Sequence, residues 1–195
     1  MQNQLTPTYW NDRYLNDQIG WDIGDISTPL KDFIDTLTDK NLHILIPGAG
    51  RAHEAVYLHQ NGFQNVYVCD WAKEAFVHLR ANAPDFPTEN MLIGDFFKLD
   101  IQVDLVIEQT FFCALSPELR SKYAEKMAAI LKENGILVGL FFGIEFPKVG
   151  PPFGGTKAEY LPIFEPYFSI LEMEIAKNSI KPRQGSELFF RMEKK

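Results

Sequence analysis

The stretch Asn41–Asp70, NLHILIPGAGRAHEAVYLHQNGFQNVYVCD, constrains this chain more than any other. His43–Pro47 is a short apolar run without polar alternation, the pattern of a parallel strand buried on both faces. It runs directly into Pro47-Gly48-Ala49-Gly50. From about Ala52 to Asn61, Ala55, Val56 and Leu58 give a helix one apolar side, and Gly62 stops it. Val66–Cys69 is a second strand that delivers Asp70 at its carboxyl end. Strand, glycine turn, helix and strand make a nucleotide-binding βαβ unit. The glycines let the backbone turn tightly and approach a ligand with no Cβ in the way. An acid about 20 residues further on can accept both hydroxyls of a ribose.

The glycine spacing narrows the nucleoside. The dinucleotide fingerprint G-x-G-x-x-G/A fails at its sixth position, which is His53. The shorter G-x-G-x-G form fits better, with Ala52 in the last place. That form is common where the ligand is S-adenosylmethionine (SAM), which carries no pyrophosphate to seat on a helix N-terminus. A nicotinamide-dependent enzyme is the distant alternative, and a plain glycine turn between any strand and any helix is the bland one. The acid at the right offset speaks for the ligand.

The flanking sequence extends the unit into one domain over 1–195, the size a single core supports. Residues 1–27 precede the fold proper and 28–195 form its core. In the first part, Thr8 can cap a short helix through Leu15, and Trp10, Tyr14 and Trp21 are large residues that are expensive to leave in water. Clustered aromatics outside the sheet pattern suit a cap over a pocket holding a cation, because an aromatic face attracts a sulfonium as it does an ammonium. Ser27 or Thr28 caps the next helix, with Pro29 in its first turn and Leu30, Phe33, Ile34 and Leu37 at helical spacing. Ala72–Asn82 reads as a second crossover helix and Met91–Ile93 as a third strand, closed by Gly94-Asp95-Phe96-Phe97. Asp104–Glu108 is a fourth strand, followed by Gln109 and Phe111-Phe112-Cys113. Ligands bind outside the carboxyl ends of parallel strands, so Glu108 and Gln109 are expected in the same crevice as Gly48 and Asp70. A helix capped by Ser116 runs to about Glu133, and Ile136–Phe142 is a fully apolar fifth strand. Gly143–Thr156 is a long loop of the kind that forms lids. A helix over Lys157–Phe164 precedes two closing strands, about 168–177 and 187–193, whose short connection through Pro182-Arg183-Gln184-Gly185 implies an antiparallel pair. The expected fold is therefore α/β and Rossmann-like: a mostly parallel seven-stranded sheet with a C-terminal antiparallel hairpin and helices on both faces.

Composition excludes several function classes. A net charge of −7 at pH 7 speaks against nucleic acid and anionic membrane as partners. No apolar run reaches membrane-spanning length, and the polar start MQNQLTPTYW lacks the basic and apolar regions of a signal peptide. The two cysteines, Cys69 and Cys113, sit in apolar settings and read as buried, reduced thiols, which points to the cytoplasm. No Cys/His cluster has metal-ligand spacing, so no metal is expected. A monomer acting on a small molecule is the default.

Several segments together resemble the thiopurine S-methyltransferase family, and within it most closely the plant and bacterial halide/thiol methyltransferases of the "harmless to ozone layer" type. They are Trp10 through Tyr14 to Trp21-Asp22 with Thr28-Pro29-Leu30, Ile46–Gly50 with His53-Glu54, Asp70, Gly94–Phe97, Asp104–Glu108 with Phe111–Pro117, Gly150-Pro151-Pro152, and Lys181–Gly185. The resemblance spans nearly the whole chain. It implies a class I SAM-dependent methyltransferase that releases S-adenosylhomocysteine (SAH). Trp10, Tyr14 and Trp21 would fold over SAM and the pocket. Pro47, Gly48, Ala49 and Gly50 would meet its amino-acid part, Asp70 would hold its ribose and Asp95 and Phe96 its adenine, with Trp71 and Phe97 also in the cofactor site. Glu108 and Gln109 would complete the cofactor site, with Gln109 standing where the thiopurine enzymes have arginine. Tyr14, Trp21, Gln109, Phe112 and Cys113 are the candidates to line the acceptor pocket. The apolar Phe111-Phe112-Cys113 run favours a small, soft acceptor: a thiol, bisulfide or halide. Larger aromatic thiols, or SAM binding without turnover, are the alternatives. No Ser/His/Asp or Cys/His nucleophile constellation stands out, and a soft anion needs no general base.

Overall fold

A computed structural model of the chain describes residues 5–147 and 150–195. The first four residues of the polar N-terminal stretch, and Lys148 and Val149 of the long loop, lie outside the described residues. Among those described, the strands form one seven-stranded sheet in the order β3-β2-β1-β4-β5-β7-β6. The strands are β1 (Ile44–Pro47), β2 (Val66–Asp70), β3 (Met91–Ile93), β4 (Val103–Gln109), β5 (Leu131–Phe142), β6 (Phe168–Ile175) and β7 (Glu187–Lys194). β1 to β5 pair in parallel, whereas β7 runs antiparallel to both β5 and β6. The chain thus switches direction between β1 and β4, and a doubly wound sheet opens a crevice at the carboxyl ends of that pair.

Each face of the sheet is covered. The first core joins Leu30 and Ile34 of helix α2 (Thr28–Asp35), Ala55 and Leu58 of α3 (His53–Gln60) and Leu79 of α4 (Val77–Asn82) to the apolar side chains of β1 and β2. The second joins Phe112 and Cys113 of the short α5 (Phe111–Ala114), Tyr123 and Met127 of α6 (Arg120–Ile130), and Tyr160 and Phe164 of α7 (Lys157–Phe164) to β4, β5 and β7. Ahead of both, α1 (Pro7–Leu15) lays Trp10 and Tyr14 against the first core.

Several boundaries differ from the sequence reading, each for a local reason. The first helix is capped by Thr6, whose hydroxyl accepts from Tyr9 N at 3.1 Å, because Pro7 at the first position needs no donor partner. The crossover segment before α4 is a 3₁₀ turn, Lys73–Phe76, yet Ala75, Phe76 and Leu79 all point inward as their spacing implies. The helix capped at Ser116 begins as a 3₁₀ turn, Pro117–Leu119, and α6 ends at Ile130 rather than near Glu133. Leu131 there is fully buried and pairs with Val103. The ladder then breaks and resumes at Ile136, with Lys132 Nζ held 2.8 Å from Asp104 Oδ1. The closing hairpin is antiparallel, but its strands are joined by the longer segment 176–186, which contains a 3₁₀ turn at Lys181–Arg183. Both cysteines are free and buried. No helix among the described residues is long and apolar enough to cross a membrane.

Candidate active site

The crevice at the carboxyl ends of β1, β2 and β4 holds a cavity of about 570 Å³. Its floor starts at the glycine turn. Gly48 has φ +58° and Gly50 φ +56°. At Gly48 a Cβ would stand 2.3 Å from Cδ2 of Phe111, so the ring packs directly on the bare backbone and no side chain fits there. Ala49 N donates to Cys69 O at 3.1 Å and Gly50 N to Asp70 Oδ2 at 3.2 Å. Asp70 Oδ1 accepts from Ala72 N at 2.8 Å. The carboxylate thereby ties the glycine turn to the end of β2 while facing the cavity. Burial pushes its pKa up to about 6, and those backbone N–H groups hold it from rising further. Trp71 and the segment Gly94–Phe97 continue this wall, with Asp95 Oδ1 accepting from Phe97 N at 3.0 Å.

The roof comes from α1 and the segment after it. Tyr9, Trp10, Arg13 and Tyr14 line it from the helix, and Gly20 and Trp21 from the loop. Trp21 meets Trp10 and Tyr14 edge-on, with ring centroids 5.5 and 5.7 Å apart. Two anchors hold this loop down. Asp22 accepts from His53 Nε2 at 2.8 Å and lies 3.3 Å from Arg51 Nε, beside the glycine turn. On the other side, an Arg183 guanidinium nitrogen donates to the Trp21 carbonyl. Arg183 is itself paired with the buried Glu187 at 3.1 Å, whose second oxygen accepts from Ser179 Oγ at 2.7 Å.

The far wall is apolar. Phe111, Ala114 and Leu115 line it from α5 and its end, Phe142 and Ile144 from the end of β5, and Phe146, Pro151 and Pro152 from the long loop. That loop is fastened to its surroundings: Arg120 donates to Gly154 O at 2.8 Å and Gly155 N to Ile144 O at 3.0 Å. Gly154 passes so close to Ile144 O that a Cβ would overlap it.

The structure gathers most of the expected residues and redistributes the rest. Trp10, Tyr14, Trp21, Gly48, Asp70, Trp71, Asp95, Phe96 and Phe97 all line the cavity. Ala49, Gly50 and Gln109 line a smaller recess that shares Trp21, Gly48 and Thr110 with it. Pro47 is buried at the end of β1 and lines neither. Phe112 and Cys113, expected in the acceptor wall, are fully buried in the second core instead. The reason is helical: residues 111–114 form a turn, so 111, 114 and 115 share one face and 112 and 113 take the other. Glu108 is likewise turned away from the cavity. It is fully buried, its Oε1 accepts from Phe112 N at 2.9 Å, and Oε2 has no partner. Tyr9, Arg13, Phe142, Phe146, Arg183 and Ser186, none of them among the site residues expected from the sequence, also line the cavity. Only Tyr9 and Arg13, one helical turn apart beside Trp10 and Tyr14, carried a local signal.

A carboxylate at the end of β2, a turn of bare backbone at the end of β1 and an aromatic roof thus surround one cavity. The family model for thiopurine S-methyltransferase (TPMT) matches residues 5–195. The chain belongs to the thiopurine S-methyltransferase family. It is a SAM-dependent methyltransferase with a class I fold. Among curated relatives, it is 29% identical over 183 residues to a probable thiol methyltransferase 2 of Arabidopsis thaliana, covering 89% of this chain and 79% of that protein. It is 28% identical over 176 residues to a thiopurine S-methyltransferase of Vibrio cholerae serotype O1, covering 81% and 80%. It is 26% identical over 179 residues to thiocyanate methyltransferase 1 of Brassica oleracea, covering 89% and 79%. Among solved structures, the fold matches the Burkholderia thailandensis 1,6-didemethyltoxoflavin-N1-methyltransferase, crystallised with 1,6-didemethyltoxoflavin and SAH. The TM-score there is 0.77 at 16% identity, covering 96% of this chain and 86% of that one.

Proposed function

We propose that this methyltransferase acts on a small, soft sulfur nucleophile, a thiol or bisulfide, with halide as a competing acceptor of the same softness. The observation that carries the proposal is the make-up of the cavity. Among the described residues it has no lysine, histidine or glutamate, and its two carboxylates, Asp70 and Asp95, both sit at the β2 and β3 ends. The wall opposite is Phe111, Leu115, Phe142, Ile144, Phe146 and two prolines. An acceptor that needed a general base would find none there. A thiolate or halide needs none and gains reactivity where an apolar wall strips its water.

The residues fit the donor. Asp70 would take the ribose hydroxyls, Asp95 and Phe96 the adenine, and the Gly48–Gly50 turn the amino-acid end. Bound there, SAM would supply a methyl group activated on a sulfonium, open to in-line attack by the acceptor with SAH as the leaving group. Trp10, Tyr14 and Trp21 close over this space, their rings offering a sulfonium the faces that attract a cation. Residues up to Ser27 thus act as a cap on the core. A larger aromatic thiol is the second reading, favoured by Phe111, Phe142 and Phe146 on the wall, whose rings can pack against another ring.

The test is SAH production from SAM across iodide, bisulfide, thiocyanate, a small aryl thiol and a thiopurine. Turnover confined to the small anions and the small thiol supports the proposal. Turnover on the thiopurine alone replaces it with the second reading, and silence across the panel with SAM still bound overturns both.

A further inference from the structure

The cavity wall carries two cations among the described residues, Arg13 and Arg183, and they are unlike. Arg183 is neutralised by Glu187 and spends a second nitrogen on the Trp21 carbonyl. Arg13 has nothing comparable. No ion pair among the described residues involves it, and its Nε is buried without a hydrogen-bond partner. The guanidinium carbon lies 5.4 Å from the Tyr9 ring and 5.8 Å from the Trp21 ring, so aromatic faces hold it in place and leave its donors unspent. A part-buried cation without a counter-charge is costly beside a sulfonium, and an anion supplied by a ligand removes that cost.

Its neighbours indicate which ligand. Arg13 lies against Trp21, whose carbonyl is held by Arg183, and Arg183 in turn covers the Phe142 ring at 5.5 Å. Phe142 meets Phe146 at 5.0 Å in the apolar wall. Contact by contact, this line joins the roof to the apolar wall that the proposed function gives to the acceptor. We infer that Arg13 recognises an anionic group on the acceptor remote from its sulfur, so that the preferred acceptors are thiols bearing a carboxylate. The planar fork of a guanidinium suits a carboxylate, which it can bind through two parallel hydrogen bonds. The inference rests on the thiol-methyltransferase reading and adds a second charge to the acceptor it describes.

The test separates the two. Calorimetry on the SAH-loaded protein measures binding of (methylthio)acetate and of its uncharged N-methylamide, for the unaltered chain, Arg13→Met and Arg13→Lys. SAH affinity is measured for each as well. The expected result is a preference for the carboxylate of about tenfold or more, the scale of one hydrogen bond to a charged group. Arg13→Met abolishes that preference, Arg13→Lys keeps part of it, and SAH affinity does not change. Equal binding of carboxylate and amide, no detectable binding of the carboxylate, or a preference that survives in Arg13→Met overturns the inference. So does a fall in SAH affinity in Arg13→Met as large as the fall for the carboxylate, which would assign Arg13 to the donor. A carboxylate preference that depends on Arg13, in a protein that methylates no thiol, would establish the anion subsite and sink the thiol reading instead.

Discussion

Asp70 meets two demands at once. Its oxygens tie down Gly50 N and Ala72 N, and the same carboxylate faces the cavity where a ribose would lie. Burial has raised its pKa to about 6, so the group is ionised at neutral pH and protonates just below it. Ribose hydroxyls donate best to the ionised form. SAH should therefore bind most tightly above pH 6 and weaken as pH falls through that value, by up to about tenfold per pH unit. Asp70→Asn should lose about 1–3 kcal/mol of SAH affinity at pH 7.5, the scale of hydrogen bonds to a charged acceptor. Its affinity should also be flat between pH 5 and 7.5. Calorimetry at those two pH values checks both expectations. A wild-type affinity that does not respond to pH would remove Asp70 from the cofactor site.

At the scale of elements, the site is a space between parts that the chain brings from far apart. The roof segment between α1 and α2 is fastened to α3 and the glycine turn through Asp22, and to the closing hairpin through Arg183. Arg183→Met should release the second fastening, and it also strands Glu187 as a buried carboxylate without its cation. Breaking one half of such a pair costs about 3–5 kcal/mol. Adding Glu187→Gln should restore most of that stability, because the charge left unpaired is gone, but not the fastening. The double variant is thus expected to melt near the wild type and still release SAH faster in stopped-flow measurements. Release at the wild-type rate would show that the Arg183–Trp21 contact does not govern closure of the roof.

At the scale of the whole molecule, Glu108 couples the core to pH. It lies fully buried at the end of β4 and forms no ion pair among the described residues, and burial pushes its pKa from 4.5 to about 8, against the pull of the Phe112 and Phe111 N–H groups. The folded chain therefore holds a proton there that the unfolded chain releases above pH 4.5. The contribution of Glu108 to stability should be greatest below that pH and fall as pH rises toward about 8, by at most about 1.4 kcal/mol per pH unit, then level off. Asp70 adds to the same slope up to about pH 6. Glu108→Gln keeps an oxygen for Phe112 N but cannot ionise. Urea unfolding at pH 6 and 8.5 should show the wild type losing stability across that span and the variant losing far less. Equal slopes would mean that Glu108 is not the titrating group.

The sequence by itself determined the fold and picked out residues that line the cavity at the ends of β1 to β3. Parallel buried strands read as continuous apolar runs, crossover helices as apolar residues at helical spacing, and a glycine turn followed by an acid marks the ends of β1 and β2. These signals are local, which is why the places of Gly48, Asp70 and Asp95 on the cavity were legible. The apolar wall was decided only by the tertiary structure. Phe112 and Cys113 looked like pocket residues until one helical turn at 111–114 faced them into the core and left Phe111, Ala114 and Leu115 on the wall. Arg183 stands 162 residues from the carbonyl it holds, and its cavity position follows from how β7 lies antiparallel beside β5. Long-range juxtaposition leaves no periodicity in the chain. The apolar wall, the fastened roof and the setting of Arg13 between Tyr9 and Trp21 therefore exist only once the sheet is assembled.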